Sequence, residues 1–482
     1  MRRAKIVATL GPATSTYEQV RAIIDAGVDV ARMNLSHGDH TVHETNFANV
    51  RKAADDAGRA VAILVDLQGP KIRLGKFADG PHDLAVGDIF KITVDDVPGT
   101  KELVSTTYKG LPADVHPGDF LLIDDGKVKV EVVETDGTVV TTKVLVAGPV
   151  SNNKGINLPG VAVNVPALSE KDEDDLRWGL RIGADIIALS FVRDAKDVQR
   201  VHVIMAEEGR RVPVIAKIEK PQAVDHLEEI IDAFDGIMVA RGDLGVELPL
   251  EAVPIVQKRA VELCRRMAKP VIVATQMLES MIDNPVPTRA ETSDVANAVL
   301  DGADAVMLSG ETSVGKYPVV VVETMARIIA STEDHGLERI APLNTKPRTQ
   351  GGAITLAAME VADFVDAKYV CIFTESGDTA RRMSRLRPRF PMISFTPDPA
   401  IRRRMALTWG IQSTLVEHVA HTDRMFIQVD DYFLSNDLAK VGDKVVVISG
   451  SPPGIIGSTN DIRIHKIGDA VHGKAPIYQS RE

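Results

Sequence analysis

The sequence predicts an α/β protein: a (β/α)8 barrel with an all-β domain inserted in one loop and a separate C-terminal α/β domain. Short, nearly continuously apolar runs alternate with amphipathic helical segments over about the first 330 residues, which is typical of parallel strands buried on both faces. This alternation stops after the third run and resumes some 100 residues later. A chain of 482 residues is also too long for a single core.

Eight apolar runs are the predicted barrel strands: Lys5–Leu10, Val28–Ser36, Val61–Leu67, Ala184–Phe191, Val212–Glu219, Phe234–Arg241, Pro270–Gln276 and Ala303–Ser309. Helical segments follow the strands, for example at Tyr17–Ala26, Asp172–Leu180, Gln222–Phe234, Leu250–Met267 and Pro318–Ser331. Eight strand–helix repeats are the signature of a closed barrel. We assign residues 1–69 and 168–340 to it.

The inserted domain is expected over residues 70–167, with no helix between the third barrel strand and Ser169. Strands are predicted at Phe120–Asp124, Val128–Val133 and Val139–Val146, with Asp-Gly turns at Asp125-Gly126 and Asp136-Gly137. An insertion in a loop on the active face of a barrel is placed to act as a lid.

A separate α/β unit is expected over residues 345–482, after a linker near Pro342–Gly352. Its predicted strands are Tyr369–Thr374, Met392–Thr396, Lys444–Ser449 and Asp461–His465.

Composition and missing motifs exclude several classes of protein. A net charge of −11 argues against nucleic-acid binding by general attraction. We find neither a signal segment nor an apolar stretch that could span a bilayer, so a soluble, cytoplasmic protein is expected. The chain has only two cysteines, Cys264 and Cys371, and they are too far apart in sequence to indicate a disulfide framework or a zinc site.

Both the phosphate-binding P-loop and the dinucleotide-binding glycine motif are missing, so a bound nucleotide would lie in the cleft under the inserted domain.

Polar residues cluster where the predicted strands end. Each alone could be a structural cap, but several at one face of a barrel point to a catalytic site. Lys217 and Glu219 lie two residues apart on a strand and project to one side. With Asp243 from the next strand, Glu219 could hold a divalent cation such as Mg²⁺ bridging a phosphorylated substrate. The Lys217 ammonium could stabilise charge on a transferring phosphoryl group or an enolate.

Two further features suit a phosphorylated, carboxylated substrate. Arg32 and Arg73 provide planar guanidinium groups that match phosphate oxygens. Gly242 and Asp243 precede a helical stretch, so their backbone N–H groups could bind a carboxylate.

Eight motifs give the chain a close resemblance to pyruvate kinase: KIVATLGP (Lys5–Pro12), RMNLSHG (Arg32–Gly38), DLQGPKIR (Asp66–Arg73), KGINLPG (Lys154–Gly160), AKIEK (Ala216–Lys220), MVARGDLG (Met238–Gly245), ATQMLESM (Ala274–Met281) and MLSGET (Met307–Thr312). The resemblance covers almost the whole chain. It implies transfer of a phosphoryl group from phosphoenolpyruvate to ADP, giving pyruvate and ATP, and it suggests a homotetramer.

The resemblance also implies residue roles. Glu219 and Asp243 would bind Mg²⁺ or Mn²⁺, and Lys217 would stabilise the transition state. Arg32, Arg73 and Thr275 would be catalytic. The substrate would be bound by Arg32, Lys217, Gly242, Asp243 and Thr275, and the nucleotide by Asn34, His37, Arg73 and Lys154.

One departure from the family pattern concerns the monovalent cation. Many members hold K⁺ with residues matching Asn34, Ser36, Asp66 and a threonine, but here the last position is Leu67. Lys71 stands where K⁺-dependent members usually have a glutamate, and an ammonium could replace the ion. We therefore expect that K⁺ is not required, as in the K⁺-independent bacterial branch. The competing interpretation is that Leu67 binds K⁺ through its carbonyl while Lys71 faces solvent.

The resemblance implies that the C-terminal α/β domain is a regulatory domain, with an effector phosphate at Thr374, Ser376, Gly377 and Thr379. These residues follow a strand and open a helix, a place where anions bind, although ordinary helix capping would explain the same pattern. Because Glu375 and Asp378 make the loop less basic, we expect a sugar monophosphate or AMP and not fructose 1,6-bisphosphate.

Two other functions compete with phosphoryl transfer. A non-catalytic metabolite sensor of the same family should have lost key polar residues, and none is lost. A metal-dependent aldolase or lyase acting on a pyruvate enolate would share the barrel, but the lid and the C-terminal domain argue against it.

Overall fold

The computed structural model describes residues 2–124, 126–161 and 165–470. Its strands are β1 Lys5–Thr9, β2 Val30–Asn34, β3 Ala62–Asp66, β4 His82–Leu84, β5 Ile89–Thr93, β6 Leu103–Ser105, β7 Phe120–Ile123, β8 Val128–Thr135, β9 Val139–Val146, β10 Gly148–Val150, β11 Ile156–Asn157, β12 Ile186–Leu189, β13 Val214–Ile218, β14 Gly236–Ala240, β15 Val271–Ala274, β16 Ala305–Leu308, β17 Tyr369–Phe373, β18 Met392–Thr396, β19 Ile411–Leu415, β20 Lys444–Gly450 and β21 Thr459–Lys466.

The α-helices are α1 Tyr17–Ala26, α2 His40–Asp56, α3 Leu111–Asp114, α4 Glu170–Ile182, α5 Val198–Glu207, α6 Pro221–Asp225, α7 Leu227–Ala233, α8 Arg241–Glu247, α9 Val253–Met267, α10 Arg289–Asp301, α11 Gly310–Ser313, α12 Pro318–Gly336, α13 Gln350–Phe364, α14 Asp378–Ser384, α15 Pro399–Arg404 and α16 Thr422–Ser435.

Eight parallel strands close into a barrel in the order β1-β16-β15-β14-β13-β12-β3-β2. This confirms the predicted (β/α)8 fold class, and the eight apolar runs contain the eight strands. Capping residues determine where the helices around the barrel begin and end. For example, α10 begins after Thr288, which forms a capping box with Glu291, and ends at Gly302 with φ 96°. One predicted helix, Gln222–Phe234, is in fact two, α6 and α7, because the chain bends at His226.

The insertion after β3 forms a six-stranded sheet, β11-β7-β8-β9-β5-β6, and a two-stranded sheet, β10-β4. Val128, Val130 and Val132 alternate inward along β8 and pack in a separate apolar core. The expectation of no helix here was wrong, because the single-turn helix α3 forms with Pro112 in its first turn, a position that suits proline. Of the two predicted Asp-Gly turns, Asp125 lies outside the described residues.

The C-terminal domain contains a five-stranded sheet in the order β19-β18-β17-β20-β21, with β21 antiparallel to β20. The sequence analysis missed β19 because only Ile411 of its five residues is fully buried. Cys264 and Cys371 are buried free thiols. Residues 471–482 of the predicted domain lie outside the described range.

The C-terminal domain packs against the N-terminal ends of the barrel strands. Arg403 Nε lies 2.8 Å from Asp185 Oδ1, just before β12, and Arg387 Nη2 lies 3.2 Å from Asp304 Oδ1, just before β16. The inserted domain follows the C-terminal end of β3, so the two domains occupy opposite ends of the barrel. In the part of the chain that the structure describes, no helix is long and apolar enough to cross a membrane.

Candidate active site at the C-terminal ends of the barrel strands

A compact cluster of charges lies at the C-terminal ends of β2, β3, β12 and β13. Lys217 Nζ is 2.9 Å from Glu219 Oε1 and 3.4 Å from Asp66 Oδ1. It also donates a hydrogen bond of 2.8 Å to Ser190 Oγ. Arg32 Nε donates to the other oxygen of Asp66 at 2.7 Å. The predicted strand-end residues Arg32, Lys217 and Glu219 therefore meet around Asp66.

Burial and neighbouring charges control the ionisation of this cluster. Burial alone would lower the pKa of Lys217, but the Asp66 and Glu219 carboxylates outweigh it and raise that pKa. The amine is therefore a permanent cation. Burial raises the pKa of Glu219, and the nearby Asp243 carboxylate raises it further, against the opposing effect of Lys217. The buried Glu219 carboxylate therefore lies close enough to the half-buried Asp243 for the two negative charges to repel each other.

These carboxylates fit a divalent hard cation. Glu219 is only 1% exposed, and a cation beside it would relieve its repulsion with Asp243, which sits in the first turn of α8. One group of three potential ligand side chains occurs among the described residues, at His40, Asp174 and Asp175. There His40 already pairs with Asp175 at 2.8 Å. A cation held by Glu219 and Asp243 alone would keep positions open for substrate oxygens.

Thr275 and Gly242 lie on the next two strand ends. The Gly242 N–H donates to Thr275 Oγ1 at 2.8 Å, and that hydroxyl donates to the Ala274 carbonyl at 2.7 Å. Thr275 has a φ of 69°, which is unusual for a β-branched residue and is a form of strain concentrated at functional sites. The structure therefore brings Thr275 and Gly242 together, as the sequence analysis expected.

Two of the predicted nucleotide residues, Arg73 and Lys154, make their contacts within the inserted domain. Arg73 Nη1 donates to the Asn153 carbonyl at 3.0 Å, and Lys154 Nζ is 2.9 Å from Asp124 Oδ1. His37 is exposed, and its carbonyl contacts the His43 ring nitrogen at 2.8 Å. None of these three residues contacts the Lys217 cluster through the hydrogen bonds and ion pairs described.

Most oxygen atoms expected to bind a monovalent cation already accept hydrogen bonds or form ion pairs within the protein. Asn34 Oδ1 accepts from the Ser36 N–H at 3.2 Å, while Asp66 is committed to Arg32 and Lys217. The Leu67 carbonyl accepts from Ser190 Oγ at 2.7 Å. The end of the half-buried Lys71 side chain lies against Gly155 of the inserted domain.

The predicted effector loop borders a cleft of about 610 Å³, open mouth included, in the C-terminal domain. Thr374 Oγ1 accepts from the Gly377 N–H at 2.9 Å, and Ser376 Oγ accepts from the Asp378 N–H at 3.4 Å. The hydroxyls of Thr379 and Thr459 are 2.7 Å apart. The loop is thus ordered by its own hydroxyl groups at the start of α14.

Sequence reasoning missed the end of β12. Ser190 joins Lys217 to the Leu67 carbonyl, and the Phe191 N–H donates to Glu219 Oε2 at 2.7 Å. Phe191 has a φ of 54°. Ser190 and Phe191 end the predicted strand Ala184–Phe191, so their position could have indicated a role at the site. They were missed because the prediction relied mainly on charged residues at strand ends.

Sequence reasoning also missed a buried contact between the inserted domain and the barrel. Asn157 Nδ2 donates to Glu247 Oε1 at 3.2 Å, and Lys220 Nζ lies 2.6 Å from the same oxygen. Glu247 is the last residue of α8, the helix that contains Gly242 and Asp243. No sequence signal joins residues 90 positions apart.

Comparison with known proteins gives a consistent result. The family described as "Pyruvate kinase, barrel domain" matches residues 1–322, and "Pyruvate kinase, alpha/beta domain" matches residues 352–465. A pyruvate kinase of Corynebacterium efficiens is 57% identical over 97% of this chain and 98% of its own length. One of Mycobacterium tuberculosis is 56% identical over 97% and 99%. The crystal structure of a pyruvate kinase from Cryptosporidium parvum superposes with a TM-score of 0.90 at 36% identity, covering 97% of this chain and 96% of that one. The chain therefore belongs to the pyruvate kinase family.

Proposed function

We propose that this protein is a phosphotransferase that moves the phosphoryl group of phosphoenolpyruvate to ADP, producing pyruvate and ATP. The observation that carries the proposal is the Lys217 ammonium, held between Asp66, Glu219 and Ser190 at the mouth of the barrel. A fixed buried cation at that position is suited to stabilise charge that develops during transfer.

The surrounding residues have separate proposed roles in binding the metal, the substrate and the nucleotide. Glu219 and Asp243 would hold Mg²⁺ or Mn²⁺, which supplies charge neutralisation for the phosphate oxygens when bound. Arg32, oriented by Asp66, positions the phosphoryl group of the substrate. The Gly242 N–H, which donates to Thr275 Oγ1 in this structure, would bind the substrate carboxylate on exchange of that contact, and Thr275 would act near the carbon that is protonated. Arg73, Asn34, His37 and Lys154 are the proposed nucleotide contacts.

Pyruvate formation tests the activity directly. Purified protein with phosphoenolpyruvate and Mg²⁺ is expected to release pyruvate only when ADP is added, measured by coupling to lactate dehydrogenase. No ADP-dependent pyruvate would contradict the proposal. Release of pyruvate and inorganic phosphate without ADP would show transfer of the phosphoryl group to water instead of ADP, and binding of phosphoenolpyruvate without turnover would favour a metabolite sensor.

We expect this activity without K⁺. Leu67 offers no side-chain oxygen and lies in the apolar core, and Lys71 takes part in none of the ion pairs found among the described residues. An unpaired ammonium at the cleft can supply the positive charge that a monovalent cation would provide. The rate in K⁺-free buffer should be within about threefold of the rate in 100 mM KCl, with tetramethylammonium chloride as the ionic-strength control. A rate near zero that KCl restores would contradict this and favour binding of K⁺ by the Leu67 carbonyl.

The 610 Å³ cleft is the proposed effector site, with Thr374, Ser376, Gly377 and Thr379 around the phosphate. Glu375 and Asp378 border the same cleft, so a monophosphate is expected to bind better than a bisphosphate. Glucose 6-phosphate or AMP should lower the phosphoenolpyruvate concentration needed for half-maximal rate. Activation by fructose 1,6-bisphosphate alone would refute this. The homotetramer, the cytoplasmic location and the lid role of the insertion stay predictions.

A further inference from the structure

A cavity of about 620 Å³, mouth included, lies where the inserted domain joins the barrel. The segments that connect the two domains form one wall, which includes Ile72, Ile156 and Leu158. The loops after β12 and β13 form the other wall, which includes Phe191 and Lys220. Among the residues described to line it, none belongs to the Lys217 cluster or to the proposed nucleotide contacts. The cavity is therefore distinct from the candidate active site.

Most of the wall of this cavity is apolar. On the side of the inserted domain, Ile72, Ile156, Leu158 and Val161 are at most 9% exposed and belong to the apolar core of that domain. On the barrel side, Phe191 is half-buried, and the Lys220 ammonium lies 5.7 Å from the centre of its ring. Such a lining suits the apolar body of a small molecule, and a flat ring can pack against Phe191.

The charged groups of the lining are all positive. Lys71, Arg193 and Lys220 line the cavity, and none of the described lining residues is acidic. Lys220 Nζ is 2.6 Å from Glu247 Oε1, and Arg193 Nη2 is 3.8 Å from Asp197 Oδ1. The Lys71 ammonium lies beside Gly155 and takes part in no ion pair among the described residues. With one ammonium left to pair, a single negative charge on a ligand matches the cavity better than two.

A buried hydrogen-bond acceptor lies in the same cavity. Gln222, at the start of α6, lines it, and Gln222 Oε1 is buried without a hydrogen-bond donor in the part of the chain that the structure describes. A buried acceptor without a donor is destabilising. A hydroxyl group on a bound molecule would supply the donor.

We propose that this cavity binds a small aromatic monocarboxylate that carries a hydroxyl group. Its carboxylate would pair with Lys71, its ring would pack against Leu158 and Phe191, and its hydroxyl would donate to Gln222 Oε1. A phosphate ester would instead bring two charges and a hydrophilic body to a mostly apolar wall. Binding of such an acid does not rest on the proposed activity.

The position of the cavity predicts an effect on turnover. Asn157 and Lys220 line it, and both also contact Glu247 Oε1. The acid would therefore contact both domains next to the buried contact that joins them, and it should hold the inserted domain against the barrel. Because movement of such a domain can limit turnover, the acid should lower kcat without raising the KM for phosphoenolpyruvate. This effect, unlike the binding, rests on the proposed function.

Isothermal titration of the full-length protein tests the site without turnover. The probes are 4-hydroxyphenylacetate, phenylacetate, which lacks the hydroxyl group, and 4-hydroxyphenylacetamide, which lacks the charge. The first should bind saturably, and the other two should each have a Kd about tenfold higher. Binding in a protein that forms no pyruvate would leave this proposal standing and refute the proposed function alone.

Two variants locate the groups that recognise the acid. Lys71→Met should raise the Kd of 4-hydroxyphenylacetate about tenfold and abolish the preference for it over the uncharged amide. Gln222→Leu should abolish the preference for 4-hydroxyphenylacetate over phenylacetate. A general loss of structure would not remove one preference and retain the other. Far-UV circular dichroism of each variant should match the wild type.

Lys76→Met is the matched control, because Lys76 is exposed in the same inserted domain and does not line the cavity. Its Kd should be unchanged, and so should the Kd of Lys217→Met. The proposal is overturned by no saturable binding of any probe, by an equal Kd in Lys71→Met and Lys76→Met, or by loss of binding only in Lys217→Met. A raised KM for phosphoenolpyruvate at unchanged kcat would also overturn it, because the acid would then occupy the catalytic site.

Discussion

Replacing Lys217 by methionine is expected to lower kcat about 1000-fold, which corresponds to about 4 kcal/mol of lost transition-state stabilisation. Methionine keeps most of the length of the side chain but removes the ammonium that Asp66, Glu219 and Ser190 hold in place. The charge developing during transfer then has no fixed counter-charge on that side. Steady-state rates from the coupled pyruvate assay measure the effect.

The matched control for this substitution is Lys258→Met, which removes an exposed ammonium paired with Asp301 on the barrel surface. Its kcat should be within about twofold of wild type, because surface ion pairs contribute little. Thermal unfolding of both variants separates a catalytic loss from unfolding. A kcat for Lys217→Met within tenfold of wild type, in protein that remains folded, would remove Lys217 from the mechanism.

Glu219→Gln should have the second-largest effect, raising the Mg²⁺ concentration for half-maximal rate about 100-fold. Glutamine preserves the shape and can still accept the Phe191 N–H hydrogen bond, but it takes one of the two proposed carboxylate ligands from the cation. Lys217 also loses a partner at 2.9 Å. Titrating Mg²⁺ at saturating phosphoenolpyruvate and ADP measures the shift.

Glu228→Gln, on α7, provides the comparison, since Glu228 is exposed and lies in the first turn of a helix on the barrel exterior. It should leave the Mg²⁺ requirement unchanged. If Glu219→Gln and Glu228→Gln require the same Mg²⁺ concentration, Glu219 does not bind the metal.

The barrel was predictable because strands buried on both faces leave a continuous apolar pattern. Lys217 and Glu219 were predictable as neighbours because their spacing matches the strand period. β19 was not predictable, since a strand at the sheet edge buries little and its residues are mostly polar. An edge strand therefore leaves only a weak apolar pattern in the sequence.

Details of the site depended on tertiary contacts. Nothing in the sequence shows that Thr275 adopts a φ of 69°, because local propensity opposes that conformation in a β-branched residue. The sequence likewise does not show that the Arg73 guanidinium contacts the Asn153 carbonyl of the inserted domain.

The buried contact of Asn157 with Glu247 has a consequence for the timing of turnover. Any rotation of the inserted domain away from the barrel must break this hydrogen bond, and Glu247 would then depend on Lys220 alone. A hydrogen bond to a charged group contributes about 1.5–3 kcal/mol. Because this bond must break before the inserted domain can rotate, its presence would slow opening by roughly ten- to a hundredfold. If the inserted domain acts as the predicted lid, the end of α8 would therefore control how fast products leave, through a residue outside the cluster around Lys217.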